Sequence, residues 1–180
     1  MRAALVVVVW LLVVTTTARA DADKDLRKEV VVAAPVADVW AAWTTNAGAR
    51  TFFARGSNIE LKRGGAYEIL FFPDAPPGSR GAEGLHVLAF VPNEMLSFEW
   101  NAPPKFPELR KLGPTTFVVV QLQPIGPKQT KVVLHQLGWG AGADWDGLYA
   151  YFDKAWDWVM GNLKQRFDTG PLDWAAMVRK

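Results

Sequence analysis

Between Asp144 and Phe167 the large apolar residues fall at Trp145, Leu148, Tyr149, Phe152, Trp156, Val159, Met160, Leu163 and Phe167. Spacings of three and four put them on one face of a helix with 3.6 residues per turn. Asp146, Asp153, Lys154, Asp157, Lys164 and Arg166 take the other side, facing water. Asp144 is positioned to cap the first unpaired amides, Arg166 suits the negative end of the helix dipole, and Gly170-Pro171 ends the segment. A helix with so many rings on one side needs a broad apolar partner.

Upstream the period shortens to two. Lys28–Ala34 is a β-branched run that reads as a strand. Pro35 then opens a helix with Val36, Val39, Trp40 and Trp43 on one face. Asn46-Ala47-Gly48 breaks it, and a second short helix is expected over Arg50–Phe53. Ile59 and Leu61 alternate with Glu60 and Lys62, Gly64-Gly65 forms a hairpin turn, and Tyr67, Ile69 and Phe71 face inward after it. Pro73–Arg80 is a loop. Leu85–Val91 is a strand without clean alternation, so its facing is not fixed by pattern. Leu96, Phe98 and Trp100 alternate with Ser97 and Glu99. Asn101–Pro114 holds four prolines and cannot be a sheet strand; connections of this length often act as lids. Thr115–Gln123 and Thr130–Leu137 form a last hairpin with Thr116, Val118, Val120, Leu122, Val132, Leu134 and Gln136 inside and His135 outside. The order is strand, two short helices, six strands, long helix. It predicts an α+β fold, a curved antiparallel sheet of about seven strands wrapped around the C-terminal helix, with a gap toward the short helices.

The N-terminus changes the picture of compartment. Arg2 precedes an apolar run from Ala3 to Val14, and Ala18-Arg19-Ala20 supplies a small-residue cleavage site. The run is shorter than the roughly 20 residues needed to cross a bilayer. The expected division is a signal peptide at 1–20, one domain at 21–169 and a tail at 170–180, where Leu172, Trp174 and Met177 are apolar. A periplasmic or secreted protein with no membrane anchor after cleavage follows. Without Arg2 and Arg19 the chain carries 18 basic and 18 acidic residues. That balance argues against nucleic acid as a partner. There is no cysteine, which excludes disulfides, thiolate metal sites and a cysteine nucleophile.

Catalytic chemistry is thin. His86 and Tyr67 are the candidates for proton transfer, while His135 and the outward Glu68 and Glu99 are not. Ser97 points away from the interior and lies in no G-x-S-x-G. Gly138-x-Gly140-x-Gly142 lacks the Lys-Ser/Thr of a phosphate loop and reads as a strand-to-helix joint. Asp144, Asp146, Asp153 and Asp157 have no His or Glu to complete a metal set, so neither metal nor cofactor is expected. The aromatic residues are the stronger signal. The candidate ligand-binding set is Trp40, Phe52, Phe53, Tyr67, Phe71, Phe98, Trp100, Phe106, Trp139, Tyr149, Phe152 and Trp156, with Gln136 as a polar group to orient a ligand.

Four segments carry a family resemblance: APVADVWAAWT (34–44), the GG hairpin with AYEILF (64–71), VLAFVPNEMLSFEWNAPP (87–104) and LHQLGWGAGADWDGLYAYFDKAWDWVMGNLKQRF (134–167). They resemble the helix-grip superfamily of START domains, birch-pollen-type allergens and polyketide cyclases (SRPBCC). The closest branch is the one named for the activator of the heat-shock-protein-90 ATPase. Trp100 and Gly138-Trp139 are the most specific positions. Phe52-Phe53 stands where a Trp-Phe pair is common, and an export signal departs from the usual cytoplasmic members. The resemblance implies the helix-grip fold and apolar ligands, but no shared catalytic set. Three functions follow: an exported protein binding a small lipid-like or aromatic molecule, a cyclase- or hydrolase-type enzyme in the same cavity, or a co-chaperone.

Overall fold

The computed structural model describes residues 24–178; the predicted signal segment lies outside the described residues. Five strands form one antiparallel sheet in the order β1 (Leu26–Val32), β8 (Gln129–Leu137), β7 (Thr116–Gly126), β6 (Met95–Trp100) and β5 (Val87–Val91). A second sheet holds β2 (Gly56–Ile59), β3 (Tyr67–Leu70) and the two-residue β4 (Gly81–Ala82). The two are continuous in effect. Tyr67 N donates to Leu85 O at 2.7 Å and Val87 N to Gly65 O at 2.8 Å, with an Ala66–His86 bridge between them. β4 and β5 are therefore one bent strand running along β3 and then along β6. This is the predicted seven-stranded wall with one strand broken. A bulge inside β5 explains the missing alternation: the β5–β6 register shifts between Val87 and Ala89, so successive residues no longer change face regularly.

Alternation of burial holds along β7, while Ser97 in β6 and Val133 in β8 are buried at outward positions of the pattern. Thr116, Val118, Val120, Leu122, Val132, Leu134 and Gln136 are buried, and His135 sits outside against Asp25. Leu61 lies beyond the end of β2 and is exposed, unlike Ile59. The Pro-rich connection contains a short helix, α3 (Pro107–Lys111), whose Leu109 is buried.

Helix α1 (Val36–Thr44) forms as expected, but the second short helix is displaced: α2 is Asn46–Ala49, and turns follow it through Phe53. Asn-Ala-Gly begins α2 instead of merely ending α1, because Thr45 Oγ1 accepts from Gly48 N at 2.9 Å and caps the new helix. Asn46 Oδ1 accepts from Ile59 N at 2.9 Å, tying α2 to β2. Gly48 is required by proximity, since a Cβ there would run into the Ala41 carbonyl oxygen and come within 2.6 Å of Ala42 Cα.

The long helix α4 (Ala143–Thr169) lies along the sheet with Leu148, Phe152, Trp156, Val159, Met160 and Leu163 buried. Asp144 does not cap it. Gly142 occupies the N-cap position and no side chain bonds the first amides; Asp144 stands inside the first turn. Gly170 ends the helix in the left-handed region, with φ 106°. The tail folds back: Leu172 is buried with its amide donating to Thr51 O at 3.0 Å, and Trp174 Nε1 donates to Arg50 O. A short helix, α5 (Trp174–Val178), follows.

Candidate ligand cavity

Sheet and α4 do not close completely. A cavity of about 250 Å³ remains between the middle of α4, the β3–β4 end of the wall and the segment after β6. Toward the short helices the expected gap is an open groove between α1, α2 and the C-terminal end of α4, lined by Ala42, Thr45, Gly48 and Phe167, and beneath it Phe52, Phe53 and Trp43 interlock at ring distances of 5.0 to 5.5 Å. α4 contributes Tyr151, Phe152, Ala155, Trp156, Trp158 and Val159. Phe71, Phe72, Ser79, Gly81 and Ala82 come from the β3–β4 end, Trp100, Asn101, Pro103 and Pro104 from the end of β6 and beyond, and Phe53 from the turn after α2. The inner wall is a ring stack: Trp100 lies 5.2 Å from Trp156 and 5.9 Å from Phe53. Phe72 and Trp158, 65% and 45% exposed, stand on the outer side, so the cavity opens there.

Of the candidate set, Phe53, Phe71, Trp100, Phe152 and Trp156 line this cavity. The other members do not. Phe52 stacks behind Phe53, Tyr67 stacks on Phe98 at 4.1 Å, and Trp139 packs on Tyr149 at 4.9 Å. Trp40 rests against Phe90, and Phe106 against Tyr151, one layer outside the wall. Gln136 is wholly buried and engaged: its Nε2 donates to Thr116 Oγ1 at 3.0 Å, and its Oε1 accepts from Trp156 Nε1 at 2.7 Å. These side chains are packed on all sides within the core or lie away from the hollow, whereas Phe53, Trp100 and Trp156 meet one another and still turn one face to it.

Sequence reasoning missed Tyr151, Ala155 and Trp158, which lie beside the buried stripe of α4. Their spacing of four and three is the signal of a second, adjoining stripe. It also missed Arg110, whose guanidinium donates to Ala102 O at 2.6 Å, Gly78 O at 2.9 Å and Gly81 O at 3.1 Å. One side chain thus pins the Pro-rich segment to the β3–β4 connection, two of the pieces that form the wall.

Neither proton-transfer candidate reaches the cavity. Tyr67 is fully buried with its hydroxyl donating to Trp43 O at 3.0 Å, and burial pushes its pKa far above the ordinary tyrosine value. His86 is exposed, with Nδ1 2.8 Å from Glu99 Oε2. Among the described residues no three His, Asp or Glu side chains gather as a metal set. The α4 carboxylates go elsewhere: Asp146 pairs with Lys24, and Asp153 and Asp157 with Lys28. Among those residues no helix is long and apolar enough to cross a membrane.

Solved structures share this fold. Protein MLL2253 of Mesorhizobium loti superposes with a TM-score of 0.64 at 21% identity, over 83% of this chain and all of that one. The Aha1 dimer of Colwellia psychrerythraea gives 0.61 at 17% identity, over 82% and 98%. PFC0360w, an HSP90 activator from Plasmodium falciparum, gives 0.59 at 16% identity, over 82% and 97%. At such identities the likeness is one of fold. No curated protein matches the sequence. The pattern described as "Activator of Hsp90 ATPase homolog 1-like protein" matches residues 33–168, most of the described domain. The chain belongs to that family.

Proposed function

We propose that this protein binds a small apolar molecule in the cavity against α4, as an exported carrier in the periplasm or outside the cell. The observation that carries the reading is the aromatic hollow itself. It is walled by four separate parts of the chain, opens past Phe72 and Trp158, and is lined by no charged side chain. Its volume lies just below the roughly 300–1,000 Å³ of sites for drug-sized ligands, which suits a short chain or a compact ring system. A cyclase or hydrolase loses its support where His86 and Tyr67 stand away from the cavity. Activation of a cytosolic ATPase is at odds with the export pattern of residues 1–20.

Titration with 1-octanol, followed by calorimetry and by fluorescence of the wall tryptophans, tests the reading. One-to-one, saturable binding is expected, and Ala155→Phe, which fills the hollow from α4, should abolish it while the protein stays folded. Absence of saturable binding would overturn the cavity reading. Export is tested separately: the mature protein should begin at Asp21 and fractionate outside the cytoplasm.

A further inference from the structure

The cavity does not end at its mouth. Tyr151, Ala155 and Trp158 also line a shallow surface groove completed by Ala150, Lys105 and Lys154. Hollow and groove thus form one continuous surface along the second stripe of α4. No carboxylate lines either part, and the two lysines carry the only charges on both.

Together with Lys128, on the turn between β7 and β8, those two are the described lysines that pair with no carboxylate. Lys24, Lys28, Lys62, Lys111, Lys131 and Lys164 each pair with a carboxylate. Lys154 has two acidic neighbours on its own helix, Asp153 and Asp157, yet both turn to Lys28 on β1. Glu108, the acidic residue nearest Lys105 in sequence, pairs with Lys111. Lys105 Nζ instead lies over the Tyr151 and Phe106 rings, at 5.1 and 5.4 Å from their centroids. Ring contact leaves an ammonium able to accept an anion. Two cations without carboxylate partners at the open end of an apolar hollow complement one kind of molecule.

We infer that the ligand is a small amphipathic anion, its apolar body in the hollow and its carboxylate or phosphate between Lys105 and Lys154. This rests on the cavity reading above and adds the chemical class of what enters. Ion pairs at so exposed a site are individually weak, so two of them favour the anion over a neutral analogue by about tenfold, and added salt erodes that preference.

The test compares octanoate, octyl phosphate and 1-octanol on the whole protein by calorimetry, at low and high salt. Lys105→Gln/Lys154→Gln, whose sites are exposed, serves as the variant. At least one anion should bind about tenfold tighter than octanol, with the advantage lost in the double variant and in high salt. Octanol affinity should not change. Which of the two anions gains more identifies the head group. Equal affinities for all three, or an anion preference that survives the double variant, would overturn the assignment of Lys105 and Lys154 and leave the cavity standing. Failure of all three ligands to bind the unaltered protein would defeat the cavity reading itself.

Discussion

The indole N–H of Trp156, on α4, donates to Oε1 of Gln136, on β8, at 2.7 Å in the buried interior. Gln136 Nε2 donates on to Thr116 Oγ1, which donates to Trp100 O at 2.9 Å. A line of three hydrogen bonds therefore crosses from helix to sheet, holding the Trp156 indole and tying it to the main chain of Trp100, the tryptophan that it faces in the cavity wall. Gln136→Leu strands the Trp156 donor in an apolar interior, which should cost about 1–3 kcal/mol. Removing both partners should be less harmful than the sum. In a double-mutant cycle with Trp156→Phe, urea unfolding should give a coupling of about 1 kcal/mol or more. Additive losses would mean that the bond contributes nothing specific.

Arg110 is a comparable clamp at the rim. A guanidinium spreads its donors over separate nitrogens in one plane and here reaches three carbonyls from two of them; an ammonium holds its three donors on one atom and does not span that separation. Arg110→Ala should destabilise by about 1.5–3 kcal/mol, and Arg110→Lys should recover little of it. The loss should be local first. Hydrogen exchange should quicken in residues 78–82 and 101–112 before the β7–β8 hairpin responds. Uniform quickening across the domain would show that Arg110 supports the fold as a whole instead of the rim.

What could be read from the sequence follows the range of each interaction. The α4 face and the β7–β8 alternation are set by local period, and most of their residues are buried as read; Trp145, Tyr149 and Phe167 are only partly covered, and Asn162 and Val133 are buried outside the pattern. Phe53, Phe71, Trp100, Phe152 and Trp156 were legible as inward rings, but the same pattern marks Phe98 and Trp139, which pack among other rings. Period says which side a ring faces and nothing about whether another ring already fills that side. Gln136 illustrates the limit: its inward facing is correct, while its engagement with Trp156 depends on a residue 20 positions away. Arg110 and the β4–β5 bend rest wholly on contacts between distant segments, and no period carries them.

Helix propensity and close approach separate two glycines. Gly161 lies exposed inside α4, and a Cβ there would meet nothing within 4 Å. Gly161→Ala should stabilise by about 0.5–1 kcal/mol through the unfolded chain, raising Tm by about 1–4 °C. Gly48→Ala should do the opposite, because the added methyl collides with the backbone at Ala41 and Ala42. Calorimetry of the two variants should show shifts of opposite sign; shifts of the same sign would mean that helix propensity alone governs both sites.

Besides the fully exposed Lys62, which Glu60 holds above its ordinary value, two groups make stability fall at high pH. Burial alone would lower the pKa of Lys28, but the Asp153 and Asp157 carboxylates, 2.8 and 2.7 Å away, outweigh it and hold it above the ordinary 10.5. Burial raises Tyr67 from its ordinary 10.0. In both cases the folded state keeps its proton at a pH where the unfolded chain has lost it, so stability declines as pH rises. The contributions are complete below the unfolded values and are withdrawn above them. Urea midpoints should therefore be insensitive to these groups up to about pH 9 and drop from about pH 10 upward. Lys28→Met removes the first contribution; Tyr67→Phe removes the second, at a cost of about 0.5–1.5 kcal/mol for the lost bond to Trp43 at neutral pH. Each variant should decline less steeply than the parent above pH 10, and the double variant least of all. Parallel curves for parent and variants would place the alkaline transition in other groups.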